Sequence, residues 1–275
     1  MKKLFAVLVA LALVLSLTAV AEQQTIVIGA TPSPHAEVLT EIVDDMAALG
    51  YTLEIKVFND YNLPCPAVAS GELDANYFAH IPFINGYNAS VSEAEQVVPV
   101  IGVHYEPFGI YSNKIESLDQ LPENATVCIP NDVSNQTRAL FLLQDAGLIV
   151  LPEDAQPTDE LNVNDIVEIK NGLQISDIDA AQLPSTLEDS DLSIINGNYA
   201  LDAGLSPLVD SIFYEPAEGA AAEIYANYVV VAPADVEAEW VEALRQCLLS
   251  EEIYEFMTDN EAYAGGVIPF FSLEG

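Results

Sequence analysis

Thr25-Ile26-Val27-Ile28-Gly29 is a β-branched run, followed by a Pro-rich loop over 30–34 and a helical pattern from His35 to Leu49 that Gly50 stops. Leu53 to Phe58 is a second strand-like run. Strand, helix, strand in that order requires a crossover, and such a crossover joins parallel strands. The chain is thereby committed near its start to an α/β fold built on a parallel sheet.

The same order returns later. Ala125 to Ile129 is β-rich, Pro130-Asn131-Asp132 is a turn, and Ala139-Leu140-Phe141-Leu142-Leu143 opens an apolar helical pattern ending at Gly147. Ser134 and Asn135 are the expected cap residues of that helix. Arg138 falls in or near its first turn, where the helix dipole disfavours a cation. A cation beside orphan backbone N–H groups makes sense when both face a shared anion. The plainer alternative is a surface arginine paired with a nearby acid. Basic residues are scarce here, seven against 43 Asp and Glu, which favours reading Arg138 as an anion clamp.

Further strands are expected at Leu73–Phe78 (running on to Phe83), Val97–Ile101, Phe108–Tyr111, Ile166–Ile169, Leu192–Ile195 and Ala226–Ala232. Residues 151–164 read as an acidic surface loop. Pro233 is expected to open a helix through Leu248 that carries Trp240 in the core, and Glu251–Met257 forms another. Two α/β lobes divide the chain naturally: 22–108 with 230–275, and 109–229. Phe108–Tyr111 and Tyr225–Ala232 are the expected crossings between them.

Met1-Lys2-Lys3, an apolar run from Leu4 to Leu17, and a small-x-small site ending at Ala21 read as a signal peptide over 1–21. The run is too short to span a bilayer comfortably. Val20 stands where a lipid-bearing cysteine would be, so the exported chain is expected to be soluble, without an evident lipid anchor. Loss of Lys2 and Lys3 leaves five cations against 43 acids, net −38, which excludes nucleic acid as a partner. Cys65, Cys128 and Cys247 are an odd set with no CxxC pattern; Cys128 and Cys247 read as small core hydrophobes.

No arrangement points to catalysis. A Gly-x-Ser-x-Gly elbow, a phosphate loop and a dinucleotide fingerprint are all missing from the sequence. Acids are too abundant for paired carboxylates to carry information. His80 lacks a metal-binding spacing to His35 or His104, so neither metal nor cofactor is expected.

Binding fits better. Ligands of open α/β sheets sit beyond the carboxyl ends of strands. Tyr61, Phe78, His80 and Phe83 fall there, and the polar Asn135, Asn196 and Asn227 sit at turns or strand ends. Arg138 would take a carboxylate through its planar guanidinium, and Asn135, Asn196 and Asn227 would serve an ammonium or a carboxylate. Aromatic rings would enclose an apolar side chain. The implied ligand is an amino acid with a non-polar side chain, held in a cleft between lobes.

The segments Phe58-Asn59-Asp60-Tyr61, Gly71-Glu72-Leu73-Asp74-Ala75-Asn76-Tyr77-Phe78, His80-Ile81-Pro82, Pro130-Asn131-Asp132, Arg138-Ala139-Leu140 and Ile195-Asn196 resemble the methionine-binding lipoprotein family. These are substrate-binding proteins of methionine ABC importers. The resemblance implies a two-lobe, periplasmic-binding-protein-like α/β architecture closing on L-methionine, D-methionine or a methionine-containing dipeptide. It also implies an ABC permease with its ATPase as partner. By motif, Arg138 and Asn196 correspond to carboxylate and amino-group contacts, and Tyr61, Phe78 and His80 to the pocket wall. Asn227 matches a hinge-side polar contact, and Asn135 matches as well. Two other readings stay open: an extracellular amino-acid or peptide sensor, and a metal-scavenging binding protein.

Overall fold

The computed structural model describes residues 23–216 and 219–273. The expected signal peptide, 1–21, lies outside them. The chain starts with β1 (Gln24–Ala30), whose Ile26, Ile28 and Ala30 are fully buried. The helical pattern that follows is broken at Ile42 into α1 (Glu37–Glu41) and α2 (Val43–Ala48). It leads to β2 (Tyr51–Val57), which is parallel to β1 and half exposed, as an edge strand must be.

After α3 (Pro64–Ala69) comes β3 (Ala75–His80), parallel to β1 and buried at all six positions. The chain does not stay extended through Phe83. It turns at once into α4 (Ile81–Ser90), with Pro82 in its first turn, where the missing N–H costs nothing. β4 (Val98–Tyr105) then completes the chain's first pass through this sheet.

Three residues later the chain is in another sheet. There β5 (Gly109–Tyr111) and β6 (Thr126–Pro130) are followed by α5 (Val133–Asp145). The cap of α5 is Asp132, not Ser134 or Asn135: its carboxylate accepts from Asn135 N–H at 3.0 Å, so the helix begins at Val133. Arg138 therefore sits in the second turn, past the strongest field of the helix end. A short antiparallel pair, β7 (Ile149–Val150) and β8 (Glu168–Ile169), brackets the acidic loop. β9 (Gln174–Ile178), absent from the sequence reading, is an exposed edge strand; its Gln-Ile-Ser-Asp-Ile composition has no apolar run to reveal it.

The short helix α6 (Leu183–Thr186), β10 (Leu192–Ile195), α7 (Gly197–Asp202) and β11 (Phe213–Tyr214) complete this half. After α8 (Ala220–Tyr225), β12 (Asn227–Val231) returns to the first sheet, antiparallel to both β3 and β4. Pro233 opens only a single 3-10 turn, Pro233–Asp235. The helix carrying Trp240 begins later, as α9 (Glu239–Leu248). It turns Trp240, Val241, Leu244, Cys247 and Leu248 into the core, as 3.6-residue spacing directs. The last elements are α10 (Glu251–Asp259) and β13 (Ile268–Pro269).

The result is two mixed sheets, ordered β13-β4-β12-β3-β1-β2 and β11-β5-β10-β6-β9, each with its own core. The parallel centres are β2-β1-β3 and β10-β6-β9; β12 and β5 add antiparallel strands to them. This is the two-lobe α/β arrangement expected, with the carboxyl ends of β3, β6 and β10 facing a common cleft. Among the described residues no helix is long and apolar enough to cross a membrane.

Candidate ligand-binding site

His80 ends β3 and caps α4. Its Nδ1 accepts from Phe83 N–H at 3.2 Å, which leaves Nε2 as the donor, 3.2 Å from Asn135 Oδ1. Asn135 is oriented from its other side, where its Nδ2 donates to both Asp132 oxygens at 2.9 and 3.1 Å. The free Oδ1 accepts a second bond from Asn196 Nδ2 at 2.9 Å. One amide oxygen thus ties the end of β3 to α5 and to the end of β10. Burial, then the nearby Arg138 charge, lowers the His80 pKa to about 3, so this imidazole is neutral.

Aromatic rings close the opposite side. Tyr61 stacks on Phe78 at 5.4 Å and leans on Tyr199 at 4.8 Å, and Phe83 meets Phe78 edge-on at 5.5 Å. Tyr61 O–H donates to Asn198 Oδ1 at 2.5 Å, and Tyr199 O–H to the Asn59 carbonyl at 3.0 Å. Both bonds run from one half of the molecule to the other.

Arg138 is neither a surface cation nor a free one. It is 4% exposed, and its Nε and Nη2 bond the Glu215 carboxylate at 2.9, 3.1 and 2.6 Å. Nη2 also reaches the Glu106 carbonyl at 2.9 Å. The rings of Tyr225, Phe108 and Tyr105 lie 4.3, 4.8 and 5.7 Å from its central carbon. Burial opposes its charge, but Glu215 outweighs burial and holds the guanidinium pKa above its ordinary value.

Tyr61, Phe78, His80, Asn135, Arg138, Asn196 and Asn227 all line one cavity, together with Ala79, Phe83, Glu106, Gly197 and Asn198. Its walls stand close together: the centre of a water-sized sphere has about 20 Å³ to move in, little more than a single water needs. None of the seven residues singled out in the sequence lies elsewhere. Two buried amide atoms among the lining residues, Asn196 Oδ1 and Asn198 Nδ2, have no hydrogen-bond partner among the described residues. Such atoms are costly unless something polar meets them.

Sequence reasoning missed the two acids that matter, Glu106 in the cavity wall and Glu215 behind Arg138. A signal was present: Tyr105-Glu106-Pro107 and Tyr214-Glu215-Pro216 repeat one tripeptide, each at the end of a strand. It also separated His35 from His104. The fold brings them together with Glu106, their ligating atoms within 4.8 Å of one another, the one His/Glu group of metal-binding size among the described residues. His80 is not part of it.

A model of the NlpA lipoprotein family matches residues 26–271, almost every residue the structure describes. The chain belongs to the NlpA lipoprotein family. The methionine-binding lipoprotein MetQ of Bacillus subtilis is 34% identical over 249 residues, covering 90% of this chain and 88% of that protein. A nutrient-binding protein of Burkholderia cenocepacia, solved bound to methionine, superposes with a TM-score of 0.83 at 36% identity, covering 90% of this chain and all of that one. A periplasmic substrate-binding protein of an ABC transporter from Coxiella burnetii gives a TM-score of 0.81 at 32% identity, over 89% and 99% of the two chains. An NlpA-family chain of this length and fold is a transport-associated binding protein, and its cavity is where its chemistry is to be sought.

Proposed function

We propose that this chain is an exported substrate-binding protein that captures methionine or a close relative and delivers it to an ABC importer, and that it is not an enzyme. The observation that carries this reading is the convergence of seven residues from five separate segments on one cavity between the two sheets. In this reading Tyr61, Phe78 and Phe83 enclose the thioether side chain; sulfur–ring contact contributes about 0.3–1.5 kcal/mol. The ligand carboxylate meets Arg138 through Nη1, since Nε and Nη2 are engaged by Glu215 and the Glu106 carbonyl. Asn196 and Asn227 supply amide contacts to its polar end.

The comparisons support methionine through what the relatives bind, and the aromatic wall supports it independently. The test is a thermal-shift panel of amino acids and short peptides on ligand-stripped protein. Methionine at about a hundred times its dissociation constant should add roughly 2.7 kcal/mol of apparent stability. Asn196→Ala should lose that shift while remaining folded. A panel in which methionine is silent and another compound shifts the curve overturns the ligand assignment.

A further inference from the structure

Glu106 is the one acid among the residues lining the cavity, and it is 5% exposed. A buried carboxylate is costly without a cation to face it. Arg138 does not serve: it bonds the carboxylate of Glu215 and touches Glu106 only at the backbone carbonyl. His104 brings a hydrogen bond and His35 Nε2 lies 3.6 Å from Oε1 without making one, and neither neutral imidazole brings a charge. We infer that Glu106 receives the primary ammonium group of the ligand and makes the site select α-amino acids over their hydroxy counterparts. This deepens the amino-acid reading of the cavity and rests on it.

The side chain is held for such a role. Tyr77 O–H donates to His104 Nδ1, and His104 Nε2–H donates to Glu106 Oε1 at 2.8 Å. The bonded hydrogens run in one direction, which leaves the carboxylate as a pure acceptor. The backbone N–H of Asn198 donates to the same group. Gly197 permits the approach: a Cβ there would fall 2.5 Å from Glu106 Cβ and 2.6 Å from Oε2. Pro107 confines residue 106 to extended backbone, so the acid is aimed by its own chain. Asn196 Oδ1, buried and unpartnered among the described residues, is a second acceptor in the same wall. A carboxylate with acceptor capacity left beyond its bonds to His104 and Asn198, and an unpartnered amide oxygen, match the N–H bonds of an ammonium group.

The test is isothermal titration of the full chain and of Glu106→Gln with two probes: L-methionine and its 2-hydroxy analogue, 2-hydroxy-4-(methylthio)butanoate. The wild type should prefer methionine by at least about thirtyfold, the factor a buried charge pair commands. In Glu106→Gln, methionine should weaken by that factor while the hydroxy analogue keeps its affinity, so the preference collapses. Glu106→Asp, which retains the charge, should keep a clear preference for methionine. Equal loss for both probes would show a merely structural acid and overturn the inference alone. Binding of neither probe by the wild type would overturn the amino-acid reading and the inference with it. Stoichiometric binding of zinc chloride alone, lost in Glu106→Gln, would also overturn it, by giving the carboxylate to a metal held with His35 and His104.

Discussion

Replacing Glu215 by Gln keeps the shape behind Arg138 and removes its countercharge. The guanidinium stays charged at any attainable pH, and both side chains are nearly inaccessible, 5% and 8% exposed. The carboxylate accepts three short contacts from Arg138, one from Tyr105 O–H at 2.8 Å and one from Phe108 N–H at 3.0 Å. An amide in its place turns one acceptor into a donor aimed at donors. Breaking a buried pair by neutralising one member costs about 3–5 kcal/mol. The surrounding rings continue to stabilise the cation by roughly 0.5–2 kcal/mol, which places the expected loss near the lower end, about 3 kcal/mol. For a chain of this size each kcal/mol moves the melting midpoint by about 2–4 °C, so a fall of roughly 6–12 °C is expected. Urea unfolding followed by the fluorescence of Trp240 should show a lower midpoint at unchanged slope. A loss below about 1 kcal/mol would place the pair with solvent-screened surface bridges and refute the reasoning. Arg138→Met combined with Glu215→Leu should recover much of the loss, because it removes both charges together.

Acid should destabilise the fold. Burial lowers the pKa of His35, His80 and His104 to about 3, so between the usual 6.5 and that value the unfolded chain binds protons that the folded chain refuses. Their contribution is complete above about pH 6.5 and drains as pH falls, by about 2 kcal/mol for each histidine between pH 7 and 5. Glu106, Asp132, Asp145 and Asp202, their pKa values raised by burial (that of Asp202 to about 6), work in the opposite direction without matching three imidazoles. A stability profile that is flat from pH 7 to 5 would contradict this. The three cysteines are buried and unbridged, with burial pushing the Cys65 thiol up to about 12 and that of Cys247 to about 11. The native protein should therefore resist a disulfide reagent that titrates three thiols after denaturation, and rapid labelling of the folded chain would argue against this packing.

The order of strands and helices was legible wherever apolar residues ran together. Leu192–Ile195 is a strand as read, and Asn227–Val231 falls within the run expected. What was hidden follows from local chemistry. Ile81–Ser90 is hidden because its apolar start continues that of the strand before it, and Pro82 alone, a proline just inside a helix, marks the change. Asp132, Ser134 and Asn135 are all good capping residues, so the sequence alone does not mark which of them starts the helix; the structure gives the cap to Asp132. The cavity residues were visible because polar and aromatic side chains stand out at strand ends. Glu106 and Glu215 are obscured for the opposite reason: apart from their shared Tyr-Glu-Pro tripeptide, the two acids that are buried among the described residues look like the rest of the 43. Only folding separates a solvated carboxylate from one that must be answered by a cation.

The passage from β4 to β5 is three residues long, Glu106-Pro107-Phe108, and the return passage into β12 is Tyr225 to Asn227. These two short bridges carry an acid, an aromatic ring against Arg138 and an amide of the cavity wall. Any swing of one sheet against the other must pivot on residues of the cavity wall. The wall of the cavity and the axis of such a swing are cut from the same pieces of chain.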